Sequence, residues 1–351
     1  MVGIPLRLNL SARRGPRPGL RLVALVLAGS VALVGCGGGD EEGSPEPSES
    51  PDAQGTAAGA TLSGEWPLTG LPADGKAPGH PVMVVKIDNT SPSSPQVGLS
   101  GADLVTEELV EGGSTRLAVF YYSHVPDRVG PVRSIRATDI GIVKPAKAVM
   151  VASGGAPVTM GRVKSAGIRV VTEGGTGFSR DGSRRSPYNL FMNLPALARS
   201  LKAPATPPKS YFTWGDEAGF PAGQKAGRIS ATFSGGHTTQ WEFRKGKYVN
   251  TNSYAAAGDE FRPDTVVVLR VQVGVANYKD PAGNPVPETK FSGSGPAMVF
   301  HNGSLVRATW VKKGLDSQVS LKTKAGELRL PPGKVWLELV PANGGNVTFG
   351  K

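Results

Sequence analysis

The sequence predicts an α+β protein, in which a mixed α/β domain is followed by a smaller, mostly-β domain. Three observations lead there. Short apolar runs closed by turn residues recur from residue 81 to the C-terminus and read as strands. Between residues 138 and 201 they mix with stretches that read as short helices, as expected of packed strand and helix layers. A proline-rich segment, KAPATPPKS at 202–210, then separates this mixed region from one in which strand patterns dominate. With 351 residues, the chain has room for one large domain or two ordinary ones. The expected divisions are a signal peptide at 1–35, a tether at 36–65, a first domain at 66–205, a linker at 206–228 and a second domain at 229–351.

The N-terminus predicts the compartment. Residues 1–35 carry five arginines and no acid, and Leu22–Val34 are apolar or small. A basic start before a short apolar run is a secretory signal, and the run is too short to remain as a spanning helix. It ends in Leu33-Val34-Gly35-Cys36, which looks like a bacterial lipobox. That motif implies cleavage before Cys36, acylation of its thiol and new amino terminus, and an extracytoplasmic protein lipid-anchored to the cell membrane.

Cys36 is the chain's single cysteine, so once it is acylated no free thiol remains, and disulfides and cysteine-nucleophile chemistry are excluded. The four histidines, at 80, 124, 237 and 301, show no ligand spacing. No metal site and no cofactor are expected. Residues 37–66 hold seven acids and no base. They lack the apolar bulk to offset their ordering entropy, so 37–65 is expected to be a flexible tether reaching roughly 30 Å.

In chain order, strands are expected at 81–89, 102–110 and 116–122. A helix limited by Pro145 follows at 138–147, a strand at 148–153, a helix at 158–166, a strand at 168–173 and a helix at 194–201. The second half offers strands at 229–233, 239–244, 265–273, 297–300, 305–310 and 335–340. Asn302-Gly303 between two of them is a strong hairpin signal.

The stretch EELVEGGSTRLAVFYY, 107–122, concentrates charge in a hairpin. If Gly112-Gly113 is a two-residue loop, Leu109 faces Arg116. Glu107, Glu111 and Arg116 then share a face, with Arg116 a diagonal neighbour of both glutamates. The group is either an ion pair that keeps the register or a polar site in which the arginine holds one carboxylate ionised. From Arg128 to Arg185 there are 11 bases against three acids, among them Arg133, Arg136, Arg180, Arg184 and Arg185. Guanidinium forks suit carboxylate and phosphate. For an exported protein, nucleic acid is not an expected partner; wall polymers and phospholipid head groups are. There is no G-x-S-x-G elbow and no Walker loop.

Several irregular motifs agree in order with one family. PLTGLP (67–72), IDN (87–89), GLSGADLVTEELVEGGSTR (98–116), GPVRSIR (130–136), SPYNLF (186–191) and PPGKVWLELVP (331–341) resemble the YerB-like family of bacterial lipoproteins. The resemblance implies export, lipid anchoring and two adjoining domains of unknown function. It lends weight to Asp88, Asn89, Glu107, Glu111, Arg116, Arg133 and Arg136. Family members often carry His where this chain has Tyr188, in Pro187-Tyr188-Asn189-Leu190, so chemistry that needed that histidine would be absent here.

Two functions fit. The first is a non-catalytic module that holds peptidoglycan, another anionic envelope polymer or an envelope protein, with Asn89, Arg116, Arg133, Arg136, Arg185 and Asn189 as ligand-binding residues. The alternative is a wall-glycan-cleaving enzyme with Glu111 as general acid and Glu107 or Asp88 as its partner. Binding is preferred, because a carboxylate beside arginine tends towards a lowered pKa.

Overall fold

The structure is a computed structural model that describes residues 61–351 apart from Pro281. The signal peptide, Cys36 and all of the tether up to residue 60 lie outside the described residues. The expected tether ran to 65, but Thr61–Glu65 forms a strand paired antiparallel with Pro72–Lys76, so the folded body starts earlier.

Strands dominate, and the helices are few and short. A 12-stranded mixed sheet forms the centre. From Thr265–Val271 to one edge it runs Thr265–Val271, Val335–Pro341, Leu104–Leu109, Thr115–Tyr121, Met83–Asn89, Val149–Val151, Val170–Val171. Val335–Pro341 lies parallel to both of its neighbours, one from each half of the sequence. The two halves therefore share one sheet.

The sheet is covered on both faces, which explains the near-continuous apolar runs along its strands. Alternation divides each strand between two cores. Val84, Leu104, Phe120 and Leu337 pack with Ile142, Val143, Tyr211 and Phe212 on one face. Val85, Val105, Val119 and Trp336 pack on the other face with Ile229, Phe233 and Trp241. The last three come from a four-stranded sheet of Lys247–Asn250, His237–Arg244, Arg228–Ser234 and Asn346–Gly350.

The expected helices appear as Pro157–Ser165, Leu194–Ser200 and the short Asp139–Val143, where Pro145 begins a tighter turn, Lys144–Ala146. Gly293–His301 and Ser304–Lys312 pair as a hairpin over Asn302-Gly303, both at positive φ as that turn requires. The expected linker at 206–228 is packed instead. Tyr211, Phe212 and Trp214 are buried, the Tyr211 hydroxyl donates to the Ile142 carbonyl at 3.0 Å, and Gln224–Lys225 joins the large sheet. Burying three aromatics outweighs the loop signal of the prolines nearby.

Candidate functional site

The hairpin at 104–121 differs from the expected one by one residue. Leu109 pairs with Thr115, Glu108 with Arg116 and Glu107 with Leu117. The connection is a longer turn, closed by the Val110 N–H on the Ser114 carbonyl at 2.8 Å, with Gly112 and Gly113 both at positive φ. A slip of one residue moves side chains to the opposite face. Glu107 therefore leaves Arg116, and Glu108 takes the place beside it.

On Arg116's face three arginines gather. Arg133 pairs with Asp88 at 2.8 Å. Arg136 grips Glu111 with two bonds, of 2.6 and 2.8 Å. Burial pushes the Glu111 carboxyl up, but the hydrogen bond and charge of Arg136 prevail and hold it below its ordinary value. Arg116 is buried and donates to the Ser134 carbonyl at 2.8 Å. Among the described residues no carboxylate lies within ion-pair distance of it. Burial, then the charges of Arg136 and Arg133, push its pKa down to about 10. The Arg133 guanidinium stands over the Tyr188 ring at 5.2 Å, so the tyrosine found where the family often has histidine supplies a cation–π face.

Deeper on the same face, Lys86 lies between Glu108 and Asp139, all three fully buried. The Lys86–Asp139 contact is 2.8 Å, and Asp139 also accepts the Arg136 N–H at 2.7 Å. Burial raises the Glu108 carboxyl to about 7, with Asp139 adding to the rise and Lys86 opposing it.

Glu107 belongs to the other face. It accepts from Asn89 (3.0 Å), Thr115 (2.7 Å), Thr239 (2.9 Å) and Trp336 (3.2 Å), and contacts His237 at 2.8 Å. Glu338 is its direct neighbour on the adjoining strand. Burial, and then Glu107, push the Glu338 carboxyl well above its ordinary value, while the Trp241 indole donates to it at 2.6 Å. Burial pulls His237 down, but Glu107 outweighs burial and raises it. This network ties the four-stranded sheet to the large one.

The expected site residues thus divide. Asp88, Glu111, Arg116, Arg133 and Arg136 come together. Asn89 joins Glu107 on the opposite face. Asn189 is occupied elsewhere: it accepts from Arg180 at 2.6 Å. Arg185 is exposed on the loop before it. Lys86, Glu108, Asp139, His237 and Glu338 were not anticipated. For Lys86 a signal existed, a lysine inside the apolar run MVVKI; for Glu338 the same held within VWLELV. Among the described residues no group of three or more His, Cys, Asp or Glu is placed to hold a metal ion. In those residues no helix is long and apolar enough to cross a membrane.

Comparison with known proteins gives two family matches. Residues 68–206 match the N-terminal domain, and 229–337 the C-terminal domain, of a family described as protein of unknown function, DUF3048. The chain is similar to a protein of Bacillus subtilis (strain 168) named as a lipoprotein, YerB. The two are 23% identical over 291 residues, covering 78% of this chain and 86% of that protein. The fold resembles the crystal structure of the Bacillus subtilis YerB protein, with a TM-score of 0.67 at 20% identity, over 81% of this chain and 99% of the other.

Proposed function

The chain belongs to the DUF3048 family, whose function is unknown, and from that premise we propose that it is an exported, lipid-anchored envelope protein that binds an anionic wall polymer through Arg116, Arg133 and Arg136. Its anchor would be the lipid on Cys36, in keeping with the lipobox and with the relative named as a lipoprotein. The polymer would present carboxylate or phosphate groups, as peptidoglycan does with its carboxylates.

The observation that carries this reading is the uncompensated charge of Arg116. Arg133 and Arg136 each hold a carboxylate, so the two pairs are close to neutral. Arg116 adds a third guanidinium beside them without a carboxylate of its own. A buried, unpaired cation is costly, and an incoming anion relieves that cost while using donors already held in place. The Arg133 and Arg136 side chains are 22% and 12% exposed, so the rim of the cluster meets solvent.

Binding is favoured over glycan cleavage for the reason that disqualifies Glu111 as an acid. A general acid needs a raised pKa, and Arg136 holds Glu111 low. Glu107 lies across the sheet and offers it no partnership.

The test is co-sedimentation of the full chain, in nonionic detergent, with isolated wall sacculi. The wild type is expected to pellet without releasing soluble fragments. Arg116→Gln, which leaves both ion pairs intact, is expected to lose about tenfold in affinity. A wild type that stays in the supernatant would overturn the wall reading and direct the search to a protein partner.

A further inference from the structure

We propose a second anion site, separate from the arginine cluster, in the concavity lined by Lys144, Lys147 and Arg169, and that it takes a phosphate group. The concavity has a volume of about 310 Å³, and no acidic residue lines it. Its floor is apolar, formed by Ala148, Val149 and Ile168. Among the described residues none of the three cations pairs with a carboxylate. Lys147 and Arg169 are exposed and Lys144 half-buried.

The plain alternative is that these side chains only neutralise helix ends. The chain does turn here: Lys144–Ala146 ends at Lys147, and Pro157–Ser165 ends just before Gly167. A full helix end carries only about half a negative charge, and these helices are short. Two such ends cannot balance three full cations. A further cation lies nearby. Lys312 donates to the carbonyls of Gly314, Leu315 and Ser317, each at 2.8 Å, and burial and then Lys144, against the pull of Asp316, bring it down to about 8.

Lys147 adds a second argument. It closes its helix in the left-handed region, with φ 48° and ψ 37°. Glycine is the usual residue there, and the equivalent end of the next helix has it, Gly167 at φ 73°. A lysine in that conformation costs stability, and the cation it brings to the concavity is what the cost obtains. Phosphate suits the set better than carboxylate. Two ammonium groups act as point charges from different directions, and one guanidinium adds a fork.

The phosphate has two possible sources, a phospholipid head group or a soluble phosphate compound. The experiment uses the full chain in nonionic detergent, titrated calorimetrically with inorganic phosphate. The wild type is expected to saturate. Lys147→Gly removes the cation and keeps the backbone turn, so it is expected to weaken phosphate binding about tenfold while its melting temperature holds or rises. Arg169→Gln is expected to weaken it similarly, and Arg307→Gln, an exposed cation outside the concavity, to leave it unchanged. The arginine cluster is read separately, by sedimentation of Arg116→Gln with sacculi, so each proposal fails in its own assay. Micelles doped with phosphatidylglycerol that displace phosphate, where phosphatidylcholine does not, would identify the head group. Displacement by neither would identify a soluble phosphate. A wild type that shows no saturable binding, or a Lys147→Gly variant that binds as the wild type does, would overturn the proposal.

Discussion

Glu338 and Glu108 are buried carboxyls on neighbouring strands, and both titrate far from their ordinary range. Burial holds Glu108 at about 7 against an ordinary value near 4.5, with Lys86 opposing and Asp139 adding. Burial and then Glu107 hold Glu338 well above that ordinary value. The native state therefore keeps protons that the unfolded chain has released. The stability this confers is complete below about pH 4.5 and is lost as pH rises through the folded values. For Glu108 the shift corresponds to on the order of 3 kcal/mol. His237, raised by Glu107 despite burial, acts in the same direction at higher pH. The melting temperature is thus expected to fall between about pH 5 and about pH 8. Glu338→Gln keeps a neutral hydrogen-bonding group opposite Glu107 and removes one titration. Its melting curve should decline less steeply and lie above the wild type at about pH 8; an unchanged slope would mean that Glu338 is ionised in the fold. These partners were hard to read from sequence for a specific reason. Lys86, Glu108 and Asp139 sit on three separate elements, so nothing local in sequence marks them as neighbours. The arginines were easier, because Arg133 and Arg136 lie three apart in a stretch already dense with bases.

The strands themselves were largely legible, since apolar runs closed by turn residues mark them regardless of tertiary context. Register was not. EGG between two strands suits either a two-residue loop or the tight helical turn it forms at Glu111–Gly113, and the choice decides which glutamate meets Arg116. That turn is itself testable at its two glycines. Both have positive φ, 67° and 73°. A Cβ on Gly112 would meet nothing within 4 Å, whereas one on Gly113 would stand 2.8 Å from the Ser234 hydroxyl oxygen, which donates to the Gly113 carbonyl at 2.5 Å. Gly112→Ala should therefore lose about 1 kcal/mol for its backbone alone. Gly113→Ala should lose about 2–3 kcal/mol, because it also disrupts the contact between the hairpin and the four-stranded sheet. Chemical denaturation of the two variants checks this, and equal losses would show that Ser234 moves aside freely.

The two family segments adjoin in sequence, yet the large sheet does not respect their boundary. Val335–Pro341 pairs over five residues with Leu104–Leu109 and over seven with Thr265–Val271. Without it, Leu104 and Val105 would lie on an exposed sheet edge rather than in a covered interior. Without the rest of the second half, Glu107 would lose Thr239 and His237 as well as Trp336, leaving a buried carboxylate with too few donors. Residues 66–205 made alone are therefore expected to show no cooperative thermal transition, although their composition reads as a complete α/β unit. Mixing them with residues 206–351 should restore a single transition, because the missing strand then returns to its place between the two halves. A cooperative melt of 66–205 by itself would mean that the second segment is docked onto a finished fold. Its absence would make the arginine cluster dependent on the whole chain, since the hairpin that carries Glu111 and Arg116 is held between strands of both segments.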